Sequence, residues 1–184
     1  MPQQHTAATP TLISALYSWC QTNWANDSIT SVTLGFNVGS GTGGDAQFVF
    51  IGVDDPTLMV AATSSTSQQT AAVVGPPRAR DHVGQITCAV AAWNGGGTNP
   101  SDPTADNSAA LMSAINAAYG LLAQIENQLR IPANGPSLNI VDGNGQPVFS
   151  LLVMQVTNER LSTDHTDAGA SAVVVFDIAF RARI

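Results

Sequence analysis

The chain has 184 residues, the size of one domain with a sizeable core, and only 10% of them are charged, against about 25% in ordinary soluble domains. Its 13 acidic residues outnumber 6 basic ones, all of them arginine. The resulting net charge of -7 argues against nucleic-acid binding that depends on neutralising phosphates. No run of about 18 apolar residues and no basic-then-apolar leader is present, so we expect no membrane span, no secretory signal and a protein made in the cytosol.

The first third of the chain predicts a helix followed by two strands. Thr9-Pro10 marks a helix start, and apolar residues then recur every three or four positions to about Trp24. From Ser28 to Gly39 apolar and polar residues alternate, as in a half-buried strand, whereas Ala46 to Val53 is apolar on both parities, as in a central strand. We expect these two strands to form a hairpin around the glycine-rich turn between them.

The middle of the chain predicts a solvated segment, a core strand and a long helix. Ala61 to Gln69 is dominated by Ser, Thr and Gln, so we expect a loop or a solvated edge there, followed by a short strand from Thr70 to Val74. Gly84 to Trp93 alternates as a core strand. Asp102-Pro103 then caps a helix with an apolar stripe in steps of four and three residues. The stripe consists of Leu111, Ile115, Ala118, Leu122, Ile125 and Leu129.

The last third predicts an exposed excursion and two strands. The excursion, around residues 132–147, contains Asn-Gly and Gly-Asn-Gly turns. Val148 to Thr157 is almost continuously apolar, Leu161 to Gly169 is polar and is expected to be a connector, and Ala170 to Arg183 alternates along a long final strand. The elements together predict a single α+β domain, in which an antiparallel or mixed sheet of five to seven strands packs against two helices.

Few residues suggest chemistry. Cys20 and Cys88 fall on the apolar sides of a helix and a strand, so we expect two buried free thiols. The three histidines are scattered and lack the spacing of a zinc site. The cluster from Asp164 to Asp167, with a histidine between carboxylates, is the best metal or acid–base candidate. Nothing is spaced to complete its ligand shell, so we favour a solvated or interface loop.

Two further groups have a plain and a functional interpretation. Asp81-His82 beside Arg78 and Arg80 could form an anion site or a salt-bridge network, although a hinge with solvated charges is the simpler interpretation. Trp93 ends a strand just before a glycine loop, and aromatic residues in such places are enriched at protein interfaces.

Three strings, taken in order, resemble the tail terminator proteins of phages with long non-contractile tails. They are Ala46 to Pro56 (AQFVFIGVDDP), Arg78 to Gly95 (RARDHVGQITCAVAAWNG) with the long helix behind it, and Thr166 to Ile184 (TDAGASAVVVFDIAFRARI). The resemblance spans most of the chain but not residues 134–146. It implies a structural virion protein with a mixed sheet and helices, and with no catalytic residue, cofactor or metal.

The resemblance also implies an assembly. Six copies would form a head-to-tail ring that caps the tail tube, ends tube polymerisation and offers its other face to the head. The partners would be further copies of the chain, the tail tube protein and head-to-tail connector proteins, at the head-proximal end of a tail assembled in the host cytoplasm. DNA would pass through the lumen without specific binding, since carboxylates near the bore repel phosphates.

The candidate assembly contacts combine the basic groups, the loop-end tryptophan and the acidic cluster: Arg78, Arg80, Trp93, Asp164, Asp167, Arg181 and Arg183. Of these, Arg181 or Arg183 is expected to bind an acid of a neighbouring subunit or of the partner ring. Two alternatives stay open. One is a head-to-tail connector or neck adaptor, which is also a ring. The other is a small metal-dependent hydrolase that uses His82 or the Asp164–Asp167 cluster.

Overall fold

The computed structural model describes residues 8–35, 45–53, 63–69, 80–95, 108–130, 150–166 and 169–183. Within these ranges the chain forms two helices and six strands. In chain order they are α1 (Thr9–Asn23), β1 (Thr30–Leu34), β2 (Ala46–Ile51), β3 (Thr63–Gln69), β4 (Arg80–Asn94), α2 (Ser108–Arg130), β5 (Ser150–Thr166) and β6 (Gly169–Arg183).

The strands form one mixed sheet in the order β1-β2-β4-β6-β5. β1 and β2 are parallel, and the other neighbours are antiparallel. β3 pairs with the first half of β4, and β2 pairs with its second half, so both strands are hydrogen-bonded to the same edge of β4. The predicted α+β fold with two helices on a mixed sheet is confirmed.

The parallel pairing of β1 and β2 corrects the predicted hairpin. Thr30 lies opposite Gln47 and Leu34 opposite Ile51, so β2 begins level with the start of β1 and not with its end, as a hairpin would require. A glycine-rich segment predicts a change of direction, but it does not determine whether the chain turns back at once or first crosses to the other end of the strand.

Two other segments form strands. The Ser/Thr-rich residues Thr63–Gln69 form β3, which among the described strands pairs only with β4 and is thus the edge, not the loop, of the two predicted alternatives. β5 continues to Thr166 through most of the expected connector, which corrects that prediction. Both segments are held by backbone pairing, which requires no apolar side chains. The expected strand from Thr70 to Val74 and the excursion around residues 132–147 lie outside the described residues.

The helices cover one face of the sheet. The predicted stripe of α1 and the central part of the α2 stripe are buried against alternate residues of β2, β4 and β6. On β6 these are Ala172, Val174, Phe176, Ile178, Phe180 and Ala182. The opposite face has a smaller apolar cluster around Phe50, Val53 and Ala89. β2 is therefore buried on both faces, as its sequence predicts.

The start of α1 differs in detail from the prediction. Ala8, not Thr9, is the N-cap, and Thr9 already lies within the helix with Pro10 in its first turn. The Thr9 hydroxyl is buried and has no hydrogen-bond partner among the described residues. An unpartnered buried hydroxyl costs about 1–3 kcal/mol, so this helix start depends on packing and not on a side-chain cap.

Helix α2 is amphipathic, and its buried side includes Leu121, Leu122 and Ile125. By length and composition alone, Ser108–Arg130 is also apolar enough to cross a membrane, a test that core helices pass as well. The expectation of no membrane span therefore stays a prediction. At the end of the helix, Arg130 forms an ion pair of 3.4 Å with Glu126.

Two glycines provide a matched stability test. Gly169 has φ +148°, and a Cβ there would overlap the Asn94 carbonyl oxygen and lie 2.9 Å from Trp93 Cζ2. Gly120, inside α2, would meet nothing. We expect Gly169→Ala to lose about 3 kcal/mol of unfolding free energy and Gly120→Ala to gain about 1 kcal/mol. Urea unfolding measures both changes, and a neutral Gly169→Ala would contradict the close approach of Gly169, at the start of β6, to the end of β4.

Candidate assembly surface

The predicted contact residues fall at two ends of the sheet. Arg181 lies opposite Val83 near the start of β4, while Trp93 and Asp164 lie opposite Ser171, on either side of β6. Arg181 and Ser171 are about 30 Å apart along β6. The structure therefore brings Trp93 and Asp164 to one level of the sheet but keeps both away from Arg181.

Arg181 binds an acid of its own chain. Its Nη2 lies 2.7 Å from Oδ2 of Asp81, whose side chain is only 12% exposed, while that of Arg181 is 51% exposed. Arg181 therefore already pairs with an acid of its own chain, and the expected contact of Arg181 or Arg183 with an acid of a neighbouring subunit or of the partner ring stays a prediction. Asp81 and His82 are also not a hinge, because both are buried residues of β4.

The remaining predicted contact residues lie at the strand ends or outside the described residues. Arg78 and Asp167 lie outside the described residues, and Arg80 and Arg183 are described only as strand positions, near each other at the ends of β4 and β6. Asp164 is an exposed residue of β5, and His165 follows it in the same strand, so the loop expected there is wrong. The assembly role of these residues stays a prediction.

His82 is part of the helix-covered face. Its Nδ1 accepts a hydrogen bond of 2.9 Å from the Ala8 backbone N–H, and its ring packs edge-on against Phe180 at 5.6 Å. His82 is opposite Ala182 and Asp164 is opposite Ser171, so the two are about 35 Å apart along β6. They cannot act at one metal. Within the described ranges, no group of three or more His, Cys, Asp or Glu is placed to hold a metal ion.

A polar network that the sequence did not predict lies on the opposite face. Asp177 is 5% exposed, and its two carboxylate oxygens accept hydrogen bonds from the Thr87 hydroxyl at 2.8 Å and the Asn158 amide at 2.9 Å. The only signal in the sequence is that Thr87 and Asp177 share a parity opposite to the apolar residues of their strands. Their pairing depends on the register between β4 and β6.

The network fixes a bulge in β5. Between Thr157 and Arg160 the register with β6 shifts, and Asn158 adopts φ +56°, a left-handed conformation that asparagine tolerates better than most residues. The Asn158 side chain is tied to Asp177, which holds this conformation in place. Beyond the bulge, every β5 residue from Asn158 to Asp164 is exposed.

Both ends of the strand order are open. Among the described strands, none pairs with the outer side of β5 or with the outer side of β1. Large apolar side chains are exposed beside these edges: Leu161 on β5 is 44% exposed, Leu34 on β1 is 54% exposed, and Ile29, just before β1, is 40% exposed. Open backbone edges with exposed apolar residues are suited to pairing with another chain.

No protein-family model and no curated protein matches the sequence. The functional argument therefore depends on the surfaces and polar groups of the fold itself, together with the resemblance carried by the three strings in the sequence.

The two cysteines are buried and free, as predicted. Burial raises the pKa of the Cys88 thiol to about 12 and raises that of Cys20 well above its usual range. Since the thiolate is the reactive form, both thiols should resist iodoacetamide at pH 8 in the folded protein and react after unfolding in urea. Mass spectrometry of the two samples checks this expectation, and labelling of either cysteine before unfolding would contradict it.

The Asp177 network predicts a graded pair of variants. Asp177→Ala removes the acceptor of both bonds, and we expect it to lower the unfolding free energy by about 2–3 kcal/mol. Asp177→Asn should cost less, because its amide oxygen can still accept from Asn158 while the Thr87 hydroxyl reorients as an acceptor. Urea unfolding of both variants gives the comparison. If both variants were as stable as the wild type, the network would contribute little to the stability of the fold.

Proposed function

We propose that this chain is a phage tail terminator: it assembles head to tail into a six-membered ring, caps the tail tube, ends tube polymerisation and offers its other face to the head. The observation that carries this proposal is that the two ends of the strand order, β1 and β5, are different edges and that neither pairs on its outer side with another described strand. A head-to-tail ring needs two different surfaces on each copy.

The buried polar groups support a structural role. Asp81 binds Arg181, Asp177 binds Thr87 and Asn158, and His82 accepts from the start of α1. Each of these contacts joins two elements of the fold. No observation in the described residues favours the hydrolase alternative.

The charge supports the passage of DNA through the ring. The chain carries a net charge of -7 at neutral pH, so six copies would present a strongly acidic assembly. Acidic walls repel phosphates and keep DNA from adhering to the lumen. Tail tube protein and head-to-tail connector proteins are the proposed partners at the two faces of the ring.

The proposal predicts a defined particle. Light scattering of the purified protein should give six times the 19.0 kDa mass of the chain, and negative-stain images should show rings. In an extract that lacks this protein, adding it should yield tails of uniform length that join heads. A monomer would contradict the proposal. A twelve-membered ring would instead favour the connector alternative, and a tightly bound stoichiometric metal ion with turnover would favour the hydrolase.

A further inference from the structure

We infer that the joint between copies is a sheet continuation, in which residues 160–163 of β5 pair antiparallel with β1 of the next copy. This inference rests on the proposed ring and names the surfaces that close it. It depends on three observations: the positions of the two edges along the strand direction, the direction of their strands, and the side chains exposed there.

The level of the edges follows from the register. Moving across the sheet from β1, Val32 lies opposite Val49, then Val90, then Val174 and finally Leu161. The same path leads from Thr30 to Thr163, from Ser31 to Ser162 and from Thr33 to Arg160. A second copy, related by rotation about an axis along the strands, therefore brings its β1 beside residues 160–163 without any shift along the axis.

The direction of the strands suits this joint. β1 runs parallel to β2, and three antiparallel steps then lead through β4 and β6 to β5. β1 and β5 therefore run in opposite directions within one copy. In a ring, β5 of one copy and β1 of the next would form an antiparallel pair, the more stable of the two pairings per residue.

Three of the four residue pairs at the joint have matching side chains. Val32 and Leu161 both lie on the helix-covered face, since each is level with the buried Val174. Leu161 is 44% exposed in the single copy, so pairing would cover apolar surface. Ser31 would face Ser162 and Thr30 would face Thr163, and hydroxyl pairs of this kind are favourable across strands.

Exposed apolar residues occur at both edges. Six large apolar side chains are exposed among the described residues: Ile29, Leu34, Val83, Met112, Tyr119 and Leu161. Leu161 lies within the joint, while Ile29 and Leu34 flank the paired part of β1. A second copy is the occupant that this arrangement fits, because its β1 edge places Val32 opposite Leu161 and runs antiparallel to β5.

Cysteine cross-linking tests the register. In one chain the two edges are separated by four strand spacings, about 19 Å, so a disulfide between them can form only between copies. The native thiols are buried and do not compete. Val32→Cys/Leu161→Cys and Ser31→Cys/Ser162→Cys are neighbouring pairs, so one of them occupies the closer, non-hydrogen-bonded position of an antiparallel pairing. The matched control is Val32→Cys/Gln155→Cys, with an exposed β5 residue at another level.

On mild oxidation, at least one of the two register-matched variants should give a covalent ladder up to six copies, and the control should give none. Rings by light scattering without a ladder from either matched pair would overturn this joint and leave the proposed function standing. Absence of rings in the wild type would overturn both. A ladder from the control as strong as that from the matched pairs would also overturn the register.

A charge substitution provides a second readout without cysteines. Leu161→Asp should keep the melting temperature of the single copy, because the side chain is exposed, and should reduce ring content at least tenfold at equal concentration. Met112→Asp on the outer side of α2, where Met112 is 53% exposed, is the matched control and should keep its rings. Intact rings in Leu161→Asp would overturn the joint.

Discussion

The fold depends on β6, which is hydrogen-bonded along nearly its whole length to β4 on one side and β5 on the other. Its even-numbered residues, including Phe176 and Ile178, are buried beneath the helices. A slip of one residue would turn this entire set to the opposite face. The same register sets Asp177 beside Thr87 and Arg181 near Asp81, so the alignment that builds the core also gives the buried carboxylates their partners.

Side-chain periodicity predicted the elements that the core requires. Both helices, β4 and β6 bury one regular set of residues, and this regularity is visible in the sequence. For β3 the sequence left a loop and a solvated edge open, and the second half of β5 was predicted as a connector, because backbone hydrogen bonds hold both segments while their side chains are polar. The parallel pairing of β1 and β2 also left no periodic signal, since a strand has the same alternation in either direction.

The candidate site was harder to predict for a related reason. Parity placed Arg181 on the side of β6 opposite to Phe180, which is correct, but it did not reveal the partner across the sheet. That partner, Asp81, was expected to belong to a hinge with solvated charges, whereas it is a buried residue of β4 paired with Arg181. The burial of Cys20 and Cys88 was predicted correctly, since each lies on the apolar side of its own helix or strand and that side is visible in the sequence.

The open edges of the sheet expose unpaired backbone groups that can pair with other chains, and a closed assembly would cover them. β1 has only five residues, and bulges interrupt β5, two features that limit indiscriminate pairing of an exposed edge. A joint of about four cross-strand pairs, each contributing roughly 0.2–1 kcal/mol, would hold two copies weakly. In a closed ring every copy is held by two such joints, and release requires both to break together.

Closure also demands that each joint adds rotation without translation, because any shift along the axis would build an open helix. The equal level of β1 and residues 160–163 meets that demand, and it does so through the register of β4 and β6 that the core already fixes.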